Sequence, residues 1–391
     1  MINSNFAPND ITLVVSTCTR GSAGLQSYTT TNSRTISGWT SVRVSRGIER
    51  MPSDFEVSFT EVYPGASDLV VQAGDEVEVY LGANVVLSGF IDAYIPSYNA
   101  REHTIRIAGR SRSQDLVDCS AYWPAGQMLN VKVDQIAKNL CTPYGITVNV
   151  AAGTVLGTPI EQLNIFPGQT PYEVIEMVCR YKALIFYDQP DGSMTIASGG
   201  EVAGNPASSG IGVRKASSGF KEGVNVESAS FVSRMDGRFS DYDALYMGLD
   251  TLQDIGKGGN LIARIADAGV PRFRFRAIVA ENVKGGLTVA EQRANWELVA
   301  RMGRSMQVRL STDSWRDSSG TLYEPNTLVD IDLPTLKLEP KTWLIADVTY
   351  TRDERGTRAD LLIMPPQAFY QEPFILFPVS PDVNKVKNVN S

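Results

Sequence analysis

The sequence predicts a β-rich α+β fold, with two related small β-barrel domains, an inserted α+β domain and an extended C-terminal arm. Three observations lead to this prediction. Apolar and polar residues alternate through most of residues 1–112 and again from 305 to 364, as in half-buried antiparallel strands. Two segments between these regions carry apolar residues at helical spacing. Residues 365–391 are rich in proline and aromatic residues, which excludes a regular element there.

The composition sets limits on the class of protein. A chain of 391 residues with 43% hydrophobic and 20% charged residues is expected to form several domains with real cores. No apolar run reaches the roughly 18 residues of a membrane helix, so no membrane span is expected. The first residues show no secretion signal, which predicts folding in a cytoplasm. A net charge of −7 argues against tight DNA binding.

Residues 1–112 are predicted to form the first barrel, because short apolar stretches follow a period of two. Turn-forming pairs such as Pro64-Gly65 and Gly74-Asp75 separate these stretches. Several short strands within about 100 residues are typical of a small barrel or sandwich. The alternating apolar residues are Val42, Val44, Phe55, Val57, Phe59, Val77, Val79 and Leu81.

Residues 113–219 are predicted to form an α+β domain with two helix–strand units and a Gly/Ser-rich linker at 199–219. Asn130 is the expected cap of the first helix, and Thr170 with Glu173 forms a capping box for the second. The buried stripes are Val133, Ile136, Ala137, Leu140 and Cys141 in one helix and Val174, Ile175, Val178 and Cys179 in the other. A constant shift of 38 residues indicates a structural repeat, although any two amphipathic helices followed by strands would align comparably.

Residues 220–240 and 305–364 are predicted to form the second barrel, related to the first. Val77 and the hairpin end Ile107 correspond to Val329 and Ile363, at shifts of 252 and 256. The alternative is a chance alignment of generic hairpins. The segment 241–304 is an insertion, expected to pack with the α+β domain. It carries a long helix up to Arg304, opened by a capping box of Thr288 and Glu291.

The arm, residues 365–391, combines prolines with exposed apolar side chains, which are expected to dock rather than remain free in solvent. Docking on a neighbouring domain and docking on another chain both remain open. The predicted contact residues are Phe369, Tyr370, Phe374 and Phe377.

The sequence predicts no catalytic, cofactor-binding or metal-binding residue. His103 is the single histidine, and no GxSxG motif presents a serine nucleophile that it could activate. Asp241 and Asp243 are the densest carboxylate pair with apolar neighbours, but acidic pairs in loops are mostly solvated. The run 256–259 lacks the spacing of a phosphate-binding loop. Cys18, Cys119, Cys141 and Cys179 form no CxxC pair and are expected to be reduced and buried.

Several segments spread over about residues 10–365 form a pattern whose order and spacing are more specific than any one motif. They are 39–49 (WTSVRVSRGIE) followed by Pro52, Phe55 and the strand to Phe59, 74–79 (GDEVEV), 89–92 (GFID), 109–120 (GRSRSQDLVDCS), 222–224 (EGV), 291–297 (EQRANWE), and then Trp315, Gly320, Leu322, Tyr323, Pro325 and Asn326. Together these segments resemble phage baseplate hub proteins of the Mu P-like type.

This resemblance implies a structural protein of the virion, located in the baseplate of a contractile tail and assembled in the cytoplasm of the bacterial host. Such hubs form a homotrimeric ring that joins the hexameric tail tube to the trimeric spike. Other baseplate or tape-measure proteins are further partners, and DNA is present only in transit through the lumen. Because a trimer must match a hexamer, the two barrels are predicted to alternate around a pseudo-sixfold axis, with the α+β domain projecting outward.

Two other classes compete with this interpretation. A tail-associated cell-wall glycan hydrolase would require Asp241 and Asp243 to face a cleft. A carbohydrate-binding tail fibre would show long β-repeats, which the two helical units argue against. We therefore expect a protein that is not an enzyme and that needs no cofactor.

Overall fold

The computed structural model describes residues 10–20, 28–60, 71–100, 103–182, 184–198, 214–247, 260–280 and 287–369. The first strand unit is antiparallel throughout, in the order β3-β4-β7-β6-β5-β1-β2. Its alternating residues, such as Val44 and Val79, face the core, as the sequence predicts. The strands are β1 (Ile11–Arg20), β2 (Tyr28–Ile36), β3 (Ser41–Gly47), β4 (Asp54–Thr60), β5 (Glu76–Leu81), β6 (Asn84–Tyr98) and β7 (His103–Ser111).

The α+β domain follows directly on β7. Its helices are α1 (Gln114–Asp118), α2 (Val133–Cys141) and α3 (Pro171–Tyr181), and its strands are β8 (Gln127–Val131), β9 (Val148–Val150), β10 (Ile160–Asn164), β11 (Leu184–Asp188) and β12 (Met194–Ser198). Strands β8 and β10 pair, and β12 lies between β9 and β11. The predicted apolar stripes of α2 and α3 are buried in one core. Strand β9 runs parallel to β12, whereas β11 runs antiparallel to it. The strands of the two helix–strand units therefore have opposite directions in the sheet, and the 38-residue repeat stays a prediction.

The two helix starts differ in how well the sequence predicts them. At α3, the hydroxyl of Thr170 accepts a bond from Glu173 N at 3.2 Å, and the Glu173 carboxylate accepts one from Thr170 N at 2.9 Å. The predicted capping box is therefore confirmed. The predicted cap Asn130 is wrong: it lies in β8 with a positive φ of 50°, and Lys132 precedes α2 without a side-chain cap bond. Strand pairing up to Val131 delays the helix start.

The second strand unit is interrupted by an insertion. It begins with β13 (Phe220–Lys221) and β14 (Ser228–Ser233), and the insertion adds β15 (Asp241–Met247), β16 (Asn260–Ala266), β17 (Phe275–Ala280) and α4 (Leu287–Arg304). The three strands form a sheet in the order β16-β15-β17. Alanines allow α4 to approach this sheet closely; they are Ala244, Ala263 and Ala294. The long helix is confirmed, and it starts at Leu287, before the predicted cap Thr288.

The second unit is completed by β18 (Met306–Thr312), β19 (Leu328–Leu333), β20 (Leu338–Asp353) and β21 (Gly356–Met364). Its strands run in the order β14-β18-β21-β20-β19-β13, and β20 also pairs with β3. Within the described residues, both units therefore belong to one sheet of 13 strands and bury one continuous apolar core. The predicted fold class is confirmed, whereas the shared sheet was not anticipated.

A 3-10 turn, Pro366–Phe369, ends the described chain. Phe369 is 2% exposed and packs in a small core with Ala346 of β20 and Ile185 of β11. The turn lies against α4 so closely that a Cβ at Gly303 would be 2.1 Å from the backbone nitrogen of Ala368. The insertion and the α+β domain therefore both contact this turn.

The arm prediction needs one correction. Phe369 is buried in the core of its own chain, so it is not an exposed residue for a partner. Tyr370, Phe374 and Phe377 lie outside the described residues, and their docking stays a prediction. Among the described helices, none is long and apolar enough to cross a membrane.

Candidate assembly interface

The two strand units share one topology. In the first, the five strands pair in the order β3-β4-β7-β6-β5; in the second, the order is β14-β18-β21-β20-β19. Both orders use the strands in the same chain sequence, so each strand of one unit has a counterpart in the other. The counterparts are β3 and β14, β4 and β18, β5 and β19, β6 and β20, and β7 and β21. Generic hairpins have no reason to share a five-strand order.

A β-bulge occurs at the same place in both units. Between β6 and β7, Asp92 is the extra residue between the pairs Ile91–Gly109 and Ala93–Ala108. Between β20 and β21, Ala346 is the extra residue between the pairs Ile345–Ile363 and Asp347–Leu362. Asp92 and Ala346 are 254 positions apart, within the shift seen in the sequence. Because bulges are positioned features of a fold, this match supports a duplication.

The two units join where β3 pairs with the second half of β20. The antiparallel register runs from Gly47–Asp347 to Val42–Arg352. Apolar residues on the core side of this junction are essentially inaccessible; they are Val44, Val348 and Tyr350. Because the apolar core continues across this junction, the two units pack together as one body.

Polar contacts also tie this junction. The hydroxyls of Ser45 and Thr349 lie 3.1 Å apart, and Arg46 lies 3.6 Å from the Glu324 carboxylate with its side chain 5% exposed. Gly47 has no room for a side chain, since a Cβ would lie 1.7 Å from Asp347 Oδ1. Burial raises the pKa of Asp347 above its ordinary value, partly offset by the charge of Arg50.

The counterparts of the two junction strands β3 and β20 are β14 and β6, and among the described residues each of these leaves one edge open. In the described part of the chain, residues 93–98 of β6 pair with β7 alone, and β14 pairs with β18 alone. Ile95 is 38% exposed and Tyr98 87% exposed on the first edge. On the second edge, Phe231 is only half-buried. Open strand edges with exposed apolar residues are surfaces on which another chain can pair.

A buried carboxylate fastens the α+β domain to the first unit. Asp188, at the end of β11, is 3% exposed and accepts bonds from Ser53 N at 3.1 Å and from Ser53 Oγ at 2.9 Å. The hydroxyls of Ser111 and Ser113 also donate to it. Four donors satisfy a charge that would otherwise be costly to bury. The sequence shows only a strand-end aspartate here, so this clamp could not be predicted.

The inserted sheet has its own exposed apolar patch. Phe273 is 80% exposed and Phe275 47% exposed, and their rings stack with centroids 6.5 Å apart. The guanidinium of Arg274 lies 5.2 Å from the ring centroid of Phe239. The alternation of arginine and phenylalanine at 272–276 is visible in the sequence, but only the structure shows that the phenylalanine rings are exposed.

The candidate catalytic carboxylates are already engaged. Asp243 is 5% exposed and receives two bonds from Arg264, at 2.7 and 2.6 Å. Asp241 accepts a bond from Ser240 Oγ at 2.6 Å. A buried carboxylate bound by a guanidinium is poorly suited to proton transfer. The backbone of His103 opens β7, but its side chain and residues 256–259 lie outside the described part of the structure.

Only two of the four cysteines match the expected burial. Cys141 and Cys179 are buried, and burial raises the pKa of both thiols, that of Cys141 to about 12. Cys18 and Cys119 are partly exposed, because they lie in the edge-side strand β1 and just after α1. The described residues contain no group of three or more His, Cys, Asp or Glu side chains placed to hold a metal ion.

Comparison with known proteins decides the family. Residues 29–111 match the model of "Mu phage baseplate assembly protein GpP-like, N-terminal", and residues 113–198 match "Baseplate hub protein gp44-like, second domain". Residues 287–372 match "Mu phage baseplate assembly protein GpP, fourth domain". The three segments together span more than half of the chain. The chain belongs to the Mu baseplate hub family.

Individual relatives agree with this family. The chain is 28% identical over 374 residues to the baseplate hub protein gp44 of Escherichia phage Mu, covering 92% of this chain and 91% of that protein. The crystal structure of the prophage MuSo2 43 kDa tail protein from Shewanella oneidensis matches with a TM-score of 0.75 and 26% identity, covering 93% of this chain and all of that one.

A tail protein from Neisseria meningitidis MC58 shares the fold, with a TM-score of 0.71 at 17% identity, covering 92% of this chain and 99% of that one. The three family models and the relative from phage Mu together show that the chain is a baseplate hub protein of a phage tail. The family resemblance read from the sequence is confirmed.

Proposed function

We propose that this hub protein is a non-enzymatic homotrimeric ring of a contractile tail, joining the hexameric tail tube to the trimeric spike. The observation that carries the proposal is the duplicated strand unit with its matching bulge. Three chains with two equivalent units each offer six similar surfaces to a hexamer. One chain thereby adapts a threefold partner to a sixfold partner.

DNA passes through the lumen of this ring in our proposal, and other baseplate or tape-measure proteins bind its outside. A net charge of −7 suits a duct that must not retain DNA, because the phosphates of DNA bind to clustered cations. The chain is assembled in the host cytoplasm. The proposed domains are 1–112, 113–219, 220–240 with 305–364, 241–304 and 365–391. The first boundary is supported by the family matches, since one ends at residue 111 and the next starts at residue 113.

The alternative, a cell-wall glycan hydrolase, finds no support in the geometry of Asp241 and Asp243 described above. Asp243 accepts two hydrogen bonds from Arg264, so its carboxylate is occupied and is poorly placed to protonate a glycosidic oxygen.

The ring is tested by the mass of the purified protein in solution. Light scattering and native mass spectrometry are expected to give three times the chain mass of 42.7 kDa. A second test is cross-linking mass spectrometry on intact particles, which is expected to link the chain to tube and spike proteins. A monomer or dimer at every concentration, or a chain absent from purified tails, would contradict the proposal.

A further inference from the structure

The internal junction between the two units serves as a template for a second junction. Within one chain, β3 of the first unit pairs with the second half of β20 of the second unit. The counterpart of β3 is β14, and the counterpart of β20 is β6. Both counterparts present open edges in the described part of the chain. We propose that β14 of one copy pairs antiparallel with residues 93–98 of β6 in the next copy, closing the sheet around the ring.

This inference rests on the proposed homotrimer and adds the strands and the register that hold it together. The register follows from residue equivalence. Phe55 lies opposite Gly109 and Val308 lies opposite Ile363, and these two partners are 254 positions apart, so Phe55 and Val308 are counterparts. Val44 lies opposite Phe55 and Phe231 lies opposite Val308, so Val44 and Phe231 are counterparts too. The matching bulges make each residue of β6 the counterpart of the residue 254 positions later in β20.

The template then predicts individual pairs between copies. At the internal junction, Ser45 lies opposite Thr349. The counterpart of Ser45 is Val232 and that of Thr349 is Ile95, so Val232 of one copy lies opposite Ile95 of the next. By the same rule, Phe231 lies opposite Pro96.

Burial at counterpart positions supports this pairing. Tyr350 and Val348 are inaccessible because β3 covers that part of β20. Their counterparts Pro96 and Tyr94 lie on an uncovered edge, where Pro96 is exposed and Tyr94 only half-buried. Likewise Val44 is fully buried, whereas its counterpart Phe231 is half-buried. A neighbouring strand on each edge would complete the apolar core that the internal junction already has.

The backbone groups on these edges point in the required direction. Arg234 N bonds Ser305 O at 2.8 Å, across to β18 and in the register that pairs β14 with β18. Since bonding direction alternates along an antiparallel strand, the N–H groups of residues 229, 231 and 233 face the open edge. On β6, Pro96 has no N–H, so it offers only its carbonyl to a strand at the open edge. The register between β6 and β7 continues through Pro96.

Strand β2 lies at another open edge of the described sheet and is the rival partner for β14. Its side chains are exposed along nearly its whole length. However, β2 has no counterpart in the second unit, so no internal junction shows how β14 would pair with it. The duplicated geometry therefore favours β6.

Engineered disulfides test the register in the full-length protein. Ile95→Cys and Val232→Cys are combined in one chain in which Cys18 and Cys119 are replaced by serine. Ile48 N bonds Ala346 O at 2.9 Å, so Ser45–Thr349 is a non-hydrogen-bonded pair by alternation, and its counterpart is too. The Cα atoms of such a pair lie about 4.5 Å apart, which suits a disulfide. Oxidation is expected to give a covalent trimer on a denaturing gel, reversed by reductant.

Two matched pairs serve as controls. Ile95→Cys with Ser228→Cys moves one thiol by four residues, about 13 Å along the strand, and is expected to give less than a tenth of the cross-linked product. Val232→Cys with Thr31→Cys tests the rival edge β2 and is expected to give equally little. The uncross-linked mass is measured beside each variant.

The possible outcomes separate the register from the ring. A trimer whose 95–232 pair forms covalent trimer well above both controls supports the proposed pairing. A trimer that cross-links through Thr31 or Ser228, or through no pair, overturns the pairing and leaves the ring standing. A monomer overturns both.

Discussion

At the scale of single residues, the junction of the two units contains two closely packed positions, Gly47 and Asp347. Gly47 and Asp347 face each other across β3 and β20, and the carboxylate occupies the space of a Gly47 side chain. Asp347 is partly buried there, and burial raises its pKa. Both residues should therefore be sensitive, one to volume and the other to charge.

Replacement of Gly47 by alanine is expected to lower the free energy of unfolding by about 1–3 kcal/mol, because the added Cβ overlaps Asp347 Oδ1 and forces the strands apart. Urea denaturation measures the change. Gly237→Ala is the matched control, since the nearest atom to its Cβ would be 4.0 Å away. Equal effects of the two substitutions would contradict the account.

Replacement of Asp347 by asparagine is expected to change the pH dependence of stability. A folded-state pKa above the unfolded value means that protonation of Asp347 favours folding, so this contribution is present below about pH 4 and is lost as pH rises through the folded pKa. The stability of Asp347→Asn relative to the unsubstituted protein should therefore increase between pH 4 and pH 7. Denaturation at several pH values tests the sign, and a constant difference would show that burial does not perturb this carboxyl.

At the scale of elements, the C-terminal turn links parts that are distant in sequence. Phe369 and Ala368 pack against α4, β11 and β20 together, so a short 3-10 turn fastens the insertion and the α+β domain to the shared sheet. The Asp188 clamp fastens the same domain at its other side. These two contacts hold the three parts of the molecule in one orientation.

Two truncations separate the roles of the turn and of the remaining arm. A chain ending at Pro365 loses the buried Phe369 and should be destabilised by about 3–5 kcal/mol. A chain ending at Phe369 should keep its stability, because it retains this core. The chain that ends at Phe369 lacks Tyr370, Phe374 and Phe377. If these residues dock on a partner, this chain should fold stably but fail to enter particles. Full incorporation into infectious particles would exclude that role.

At the scale of the whole molecule, the described chain contains two strand units of the same topology in one continuous sheet. A continuous sheet transmits load through backbone hydrogen bonds, and the shared core leaves no hinge between the units. Both properties suit a joint between tube and spike.

The purified protein is expected to show no turnover of peptidoglycan, since Arg264 engages Asp243 and His103 is the single histidine. Release of soluble glycan fragments is the measurement, with a lysozyme as positive control. The double variant Asp241→Asn and Asp243→Asn serves as the matched protein. Turnover by the native chain that this variant loses would establish the hydrolase alternative instead.

The sequence by itself predicted many of the strands, the start of α3 and the relation between the two strand units. Period-two alternation identified strands such as β3 and β5, because it records which face of a strand is buried. The box at Thr170 fixed a helix start because its bonds are local. The order of matching segments was enough for the family, and the shift near 254 revealed the related units.

Only the tertiary structure decided which elements meet. Pairing of β3 with β20, the bonds from Ser53 and Ser111 to Asp188, and the burial of Phe369 all join residues far apart in sequence. An alternating strand shows that one face is buried, but its backbone pairs equally well with many other strands. The choice among them depends on the packing of the whole core, which no local pattern records.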